Sequence, residues 1–140
     1  MKKLSVFMTV AMLGALILAG CATGGGAKPA DLVGKQANAF ATAIKGEDID
    51  GAMKLFSENF KHYEWSNKAG AKEFLANAKD MGYLKKLESD VSKMKVTVEG
   101  QTAKAYPIAL TGSFGQVTVE LSFAKEGANW MIVGLDASGI

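Results

Sequence analysis

The sequence predicts an α+β fold, in which N-terminal helices pack on an antiparallel sheet of about four to five strands, behind a signal peptide. Between residues 31 and 82, apolar side chains recur every three or four positions, which is the period of an amphipathic helix. After about residue 90 the period becomes two, which is typical of strands with one buried face. Helices followed by a run of strands indicate that the helices lie on one face of an antiparallel sheet.

The first twenty residues are typical of a secretory signal, because Met1-Lys2-Lys3 is followed by an uncharged, apolar run. The run ends in Leu18-Ala19-Gly20-Cys21, which resembles a lipobox, the tetrapeptide whose cysteine receives lipid. Cys21 is the only cysteine. We therefore expect a signal peptide at residues 1–20, a lipid anchor on Cys21, and a flexible, glycine-containing linker at residues 21–30.

Two other interpretations of the N-terminal segment remain open, namely cleavage by the ordinary signal peptidase and retention as an uncleaved anchor. The ordinary signal peptidase prefers small residues in an A-x-A arrangement, for which Ala22-Thr23-Gly24 is a weak match. Residues 4–20 could instead stay as an uncleaved anchor, at the short limit of about 17–25 residues for a spanning helix. Under the lipoprotein interpretation, Ala22 occupies the place where an aspartate favours inner-membrane retention. Because no aspartate follows Cys21, we expect the protein in the cell envelope, at the periplasmic face of the outer membrane rather than at the inner membrane.

Charge argues against nucleic acid as a partner. All 16 basic residues are lysines, and Lys2 and Lys3 are in the signal, so residues 21–140 carry 14 lysines against 14 acids. Nucleic-acid binding needs concentrated positive charge, commonly with arginine, and this chain has no arginine.

The inventory of reactive groups is also poor. With Cys21 modified there is no thiol, and His62 is the only histidine, so neither a cysteine nor a histidine-rich metal site can form. No glycine-rich phosphate loop is present, and residues 112–115 lack the G-x-S-x-G pattern of a nucleophile elbow. We expect no metal and no cofactor.

Three helices are expected in the first half of the domain. The first begins at Asp31, whose charge suits the positive end of the helix dipole. The second is short and has Asp48 as its N-cap. The third begins after Ser66 or Asn67 and ends at Gly82. The aromatic segment 59–65, between the second and third helices, favours a short strand.

The second half predicts four strands joined by turns. Pro107 cannot donate to a strand ladder, so it should mark a bulge in the second of these strands. The strands are expected near residues 94–98, 103–110, 117–123 and 130–135.

This order of elements, with Gly46-x-Asp48, Leu55-Phe56-Ser57-x-x-Phe60 and a terminal Trp130-Met131-Ile132, resembles the nuclear transport factor 2-like superfamily. That cystatin-like group includes polyketide-cyclase-like and ketosteroid-isomerase-like proteins. The resemblance covers roughly residues 31–137, within a domain at residues 31–140. It implies a cone, formed by a strongly bent sheet around the helices, with a pocket at the open end.

The resemblance implies that the first strand, predicted at residues 61–65, lines the pocket. Strand alternation would put His62 and Glu64 on one face and Tyr63 and Trp65 on the other. His62 and Glu64 are therefore the candidate catalytic acid–base pair, against the simpler interpretation that they face solvent. With Tyr106, beside the expected bulge, the candidate ligand-binding residues are His62, Tyr63, Trp65 and Tyr106. A register error of one residue would exchange the lining set.

Three functions remain open. The favoured one is a membrane-anchored, non-enzymatic module that binds a small apolar molecule or an envelope protein. The alternative is an isomerase, cyclase or dehydratase with His62 as general base. A homodimer across the open sheet face, a habit of the superfamily, is the third. The polar outward residues expected on one strand, Thr118, Glu120 and Ser122, argue mildly against a strongly apolar interface.

Overall fold

The computed structural model describes residues 27–139. The predicted signal peptide at residues 1–20, the lipidation site Cys21 and most of the predicted linker lie outside the described residues. Among the residues that are described, no helix is long and apolar enough to cross a membrane.

Within residues 27–139, three helices form where the helical period predicts them. They are α1 (Pro29–Lys45), α2 (Ile49–Met53) and α3 (Lys68–Asp80). Pro29 opens α1, where its missing N–H costs nothing, and Asp31 is in the first turn. The apolar stripe of α1 is buried along its length, at Val33, Ala37, Phe40, Ala41 and Ile44.

The two later helices begin with side-chain caps. The Asp48 carboxylate accepts the N–H of Gly51 at 2.9 Å at the start of α2. The Asn67 amide oxygen accepts the N–H of Gly70 at 3.1 Å at the start of α3. Each bond satisfies one of the donors that a helix N-terminus leaves free. Both predicted starts are thereby confirmed, with Asn67 rather than Ser66 as the cap of α3.

In the described part of the chain, five strands make one antiparallel sheet behind the helices, and they confirm the α+β fold. The strands are β1 (Glu88–Asp90), β2 (Lys95–Glu99), β3 (Thr102–Gly112), β4 (Gly115–Glu126) and β5 (Asn129–Ser138). The order across the sheet is β1, β3, β4, β5, and β2 pairs with the other half of the same β3 edge. The four strands predicted after residue 90 correspond to β2–β5, whereas β1 is polar and was not predicted.

Two irregularities occur along the long strands. The β3–β4 register shifts between Ala105 and Ile108, so the bulge predicted at Pro107 is confirmed. The β4–β5 register shifts between Ser122 and Phe123. Bulges bend the strand that carries them. We attribute the bend of the sheet around the helices to these two positions.

The prediction of a strand at residues 59–65 is wrong. The segment is instead a tight turn, in which the N–H of Ser66 donates to the carbonyl of His62 at 2.9 Å and the N–H of His62 to the carbonyl of Ser66 at 3.3 Å. Ser66 has a φ of 65°, which reverses the chain. The predicted alternation of His62 and Glu64 with Tyr63 and Trp65 therefore does not exist.

The segment before this turn covers the free edge of β5. Backbone hydrogen bonds join Ser57 N–H to the Ile132 carbonyl at 2.8 Å and Ile132 N–H to the Leu55 carbonyl at 2.8 Å. Lys61 N–H reaches the carbonyl of Val133 at 3.2 Å. An uncovered edge is a template for aggregation, which this segment removes along part of β5. It also fixes the position of the turn at 62–66.

Large side chains fill the space between the helices and the sheet. Those with almost no exposed surface include Phe56, Phe60, Leu87, Ile108, Leu121, Phe123 and Ile132.

Candidate functional site

Four rings stack in a row on the surface beside α3. The imidazole of His62 lies on the indole of Trp65, with centroids 4.0 Å apart and planes 16° from parallel. The ring of Phe74 covers the other side of Trp65 at 4.4 Å, and the ring of Tyr63 lies against His62 at 4.6 Å. We call these four residues, Tyr63, His62, Trp65 and Phe74, the aromatic stack.

The aromatic stack continues into the core. The ring of Phe60, which is fully buried, is parallel to that of His62 within 4°, with centroids 6.4 Å apart. Phe60 meets Phe56 edge-on at 4.9 Å. At the other extreme, Tyr63 is 82% exposed. A surface group is thus held in place by a series of ring contacts that starts in the interior.

Hydrogen bonds from the backbone engage one ring nitrogen of His62. Its Nδ1 accepts the backbone N–H groups of Glu64 at 3.1 Å and of Trp65 at 3.3 Å. A nitrogen that accepts is not protonated, so the neutral ring carries its proton on Nε2. Neither nitrogen then has a lone pair free to take a proton from a substrate. Glu64 contributes only its backbone N–H to this contact, and its carboxylate is exposed.

The start of α3 presses against the turn from the other side. A Cβ atom at Gly70 would overlap the carbonyl oxygen of Trp65. That carbonyl also accepts the N–H of Asn67 at 2.7 Å. Glycine at position 70 lets the turn lie directly on the helix, and the contact helps to hold Trp65 in place.

Three of the four predicted ligand-contact residues come together and one does not. His62, Tyr63 and Trp65 are neighbours in the aromatic stack, whereas Tyr106 lies on the outward side of β3, opposite Lys95. Phe74, which was not among the predicted site residues, is 46% exposed and belongs to the stack. Its place at the margin of the apolar stripe was the available signal.

Comparison with known proteins gives the fold and no closer relative. No family model matches the chain, and no curated protein does. A protein of unknown function from Pseudomonas putida matches with a TM-score of 0.68 and 12% identity, over 82% of this chain and 90% of that one. It is described as NTF2-like. The fold of this chain is the nuclear transport factor 2-like fold.

Two further solved structures share this fold. The CaMKII hub of S. rosetta matches with a TM-score of 0.64 and 19% identity, over 82% of this chain and 99% of that one. Bd1075 of Bdellovibrio bacteriovorus matches with a TM-score of 0.66 and 13% identity, over 77% of this chain. This chain spans only 40% of the length of Bd1075. The sequence-based prediction of a nuclear transport factor 2-like cone is confirmed for the fold.

Two concavities of the described chain open on its surface rather than inside the nuclear transport factor 2-like cone. One, of about 450 Å³, is a groove between α2 and α3 with charged walls that include Asp50, Lys68 and Lys72. The other, of about 260 Å³, is on the outward side of the sheet near Thr97 and Ser122. Within residues 27–139, no group of three or more histidine, cysteine or acidic side chains could hold a metal ion.

The outward side of the sheet is polar. Lys104 donates to the Glu120 carboxylate at 2.8 Å, and this hydrogen bond together with the charge of Glu120 raises the pKa of Lys104. The prediction that Glu120 faces away from the core is confirmed. Water screens an exposed ion pair of this kind, so it contributes little to the stability of the fold.

Proposed function

We propose that this protein is an envelope lipoprotein whose nuclear transport factor 2-like domain binds another protein through the aromatic stack. In this proposal, lipid on Cys21 holds the chain at the periplasmic face of the outer membrane. The support for the anchor is the charged-then-apolar start and the sequence Leu18-Ala19-Gly20-Cys21. More than one acyl chain on Cys21 would make attachment durable.

The observation that carries the binding proposal is the exposure of Tyr63 at the end of the aromatic stack. Aromatic anchors that are already ordered lose little conformational entropy when a partner covers them. Tyr63 leans on His62, and the stack is continuous with buried Phe60. A side chain this exposed contributes little to the stability of the domain. Its exposure therefore favours a role in recognition.

The same geometry gives less support to the other two functions. A small-molecule site is usually a cleft or cavity of about 300–1,000 Å³ with mainly apolar walls. The 450 Å³ groove between α2 and α3 has charged walls instead, and core side chains occupy the interior of this cone. A general base needs a free lone pair, and the hydrogen bonds of His62 engage Nδ1 and leave the proton on Nε2. Carriage of a small molecule and general-base catalysis are therefore the alternatives that experiment must distinguish from protein binding.

A second copy of the chain is one partner to be tested. The S. rosetta structure with the same fold is described as a hub. The outward side of the sheet, which carries Lys104, Glu120 and exposed Tyr106, would be the interface in a homodimer.

Two measurements test the proposal. Cys21→Ser should move the protein from the membrane fraction to the soluble fraction and abolish palmitate labelling, whereas Thr23→Ser should change neither. Unchanged partitioning of Cys21→Ser would contradict the lipid anchor. Native mass spectrometry of the whole protein should show no small-molecule adduct. A stoichiometric apolar adduct would replace the protein-binding proposal with ligand carriage.

A further inference from the structure

The exposed large apolar side chains of the described residues are concentrated along α3 and the turn before it. Four of the seven lie between residues 63 and 83, and the full set is Leu32, Tyr63, Phe74, Met81, Tyr83, Tyr106 and Phe114. Phe74 and Met81 are two helical turns apart, so they project from the same side of α3 and its C-cap. Met81 is 68% exposed. The apolar surface of the aromatic stack therefore extends along the helix.

Three of the four exposed apolar side chains between residues 63 and 83 have an acidic neighbour in sequence, and Glu73 and Asp80, seven positions apart, lie in a row along one side of α3. Glu64 follows Tyr63, Glu73 precedes Phe74, and Asp80 precedes Met81. Glu64, Glu73 and Asp80 are all exposed, and none of them makes a salt bridge with another described residue. We call Tyr63, Glu64, Glu73, Phe74, Asp80 and Met81 the acidic apolar strip.

The lysines of α3 are on its other side, toward α2. Each of them already interacts with another residue of the domain. Lys68 pairs with Glu58 at 2.7 Å, and Lys72 pairs with Asp50 at 3.4 Å. Lys79 donates to the backbone carbonyl of Glu47 at 3.0 Å. One side of the helix is thus basic, with two lysines paired with acids and the third hydrogen-bonded to a carbonyl. The rest of its exposed surface is apolar and acidic, and its carboxylates make no ion pair with a described residue.

We propose that the acidic apolar strip binds a protein segment in which lysine or arginine side chains stand next to apolar ones. Apolar side chains of such a segment would cover Phe74 and Met81, and its cations would meet Glu64, Glu73 and Asp80. Complementary charges of this kind set orientation and speed association. A cation over the free face of Tyr63 would gain a cation–π contact as well.

The negative charge of the strip favours such a protein segment over a lipid bilayer, which is the other surface within reach of a lipid-anchored domain. Anionic lipid headgroups attract basic segments and repel acidic ones. A bilayer would bring negative charge against Glu64, Glu73 and Asp80, all of which are exposed. The inference rests on the proposed function, because it names the partner chemistry of the same surface.

The test uses the whole protein, labelled with nitrogen-15, and two short synthetic peptides. One peptide alternates lysine with leucine, and the other alternates glutamate with leucine. The lysine–leucine peptide should shift the amide signals of Tyr63, Phe74 and Met81, and the glutamate–leucine peptide should not. Combined substitution of Glu64→Gln, Glu73→Gln and Asp80→Asn should weaken binding of the lysine–leucine peptide about tenfold.

A matched control removes the same charge elsewhere. Asp31→Asn, Glu88→Gln and Glu99→Gln together should leave the affinity of the lysine–leucine peptide unchanged, because these acids lie away from the strip. Added salt should weaken binding to the unsubstituted protein and have little effect on the variant that lacks the strip acids.

Three results would overturn the inference. The first is equal binding of both peptides, or binding of neither. The second is a shift of the same signals by vesicles of phosphatidylethanolamine and phosphatidylglycerol, which would make the strip a bilayer contact. The third is a concentration-dependent shift of these signals in the protein alone, which would make it a contact between copies. The proposed function fails separately, if position 63 contacts no other protein in cells.

Discussion

The imidazole of His62 lies on the indole of Trp65 with 4.0 Å between centroids, and it also accepts the Trp65 backbone N–H. One side chain thereby closes the turn and supports the ring that the turn presents. This pair links the buried end of the ring series, at Phe60, to its exposed end, at Tyr63. It makes His62 a structural residue of the candidate site.

Substitutions of His62 can separate the contribution of its hydrogen bonds from that of its ring contacts. His62→Ala removes two hydrogen bonds and the ring contacts, so the free energy of unfolding should fall by about 2 kcal/mol. His62→Asn offers a side-chain oxygen to the same N–H groups and should restore about 1 kcal/mol of that loss. Chemical denaturation measures both. An unchanged free energy of unfolding in His62→Ala would contradict the structural role and revive the general-base hypothesis.

Two glycines in helices should respond to alanine in opposite directions. At Gly70 a Cβ would overlap the Trp65 carbonyl, so Gly70→Ala should lower the free energy of unfolding by about 2 kcal/mol. At Gly34 a Cβ would meet only the Val96 side chain at 3.8 Å, so Gly34→Ala should raise it by about 0.5–1 kcal/mol. Thermal and chemical unfolding of the pair measure the difference. Stabilisation by both substitutions would show that the turn does not press on α3.

Two aromatic residues three positions apart should differ strongly in their cost of removal. Phe60 is fully buried, so Phe60→Ala should cost about 3–5 kcal/mol of unfolding free energy through lost transfer energy and a cavity. Tyr63 is mostly exposed, so Tyr63→Ala should cost no more than about 0.5 kcal/mol. Denaturant titration compares them. A large cost for Tyr63→Ala would assign Tyr63 to folding instead of binding.

Because of Asp90, the stability of the fold should depend slightly on pH in the acidic range. The hydroxyl of Ser92 and then its backbone N–H hydrogen-bond the Asp90 carboxylate and lower its pKa. A lowered pKa in the folded state means stability that is present above about pH 4 and is lost as the pH falls through the folded-state pKa. Ser92→Ala should raise the pKa of Asp90 toward its ordinary value, as measured by NMR titration. Identical titration curves for the two proteins would contradict this assignment.

Strong periodicity is what made most of the fold predictable. The α1 stripe and the alternation of Val117, Val119, Leu121 and Phe123 in β4 both report one buried face, and the structure buries them as expected. The β3 bulge was predictable because Pro107 lacks an N–H. By contrast β1, with the sequence Glu88-Ser89-Asp90, has no apolar alternation and forms only because the edge of β3 is free there.

The candidate site was predictable in composition but not in geometry. Residues 61–65 alternate in polarity and are aromatic, which favours a strand. The competing signal was local hydrogen bonding, since the His62 side chain satisfies two backbone N–H groups that a strand would have left for a neighbour. Phe74 joins Trp65 through tertiary packing, which no spacing along the chain reveals.

The central claim is that the exposed end of the aromatic stack contacts another protein, and photocross-linking in cells tests it most directly. A photoreactive phenylalanine at position 63 should give a discrete cross-linked product, reduced by Glu64→Gln, Glu73→Gln and Asp80→Asn together. The same group at Phe114, which is exposed on the β3–β4 turn, should give none. Cross-linking at position 114 but not at position 63, or at neither, would contradict the account.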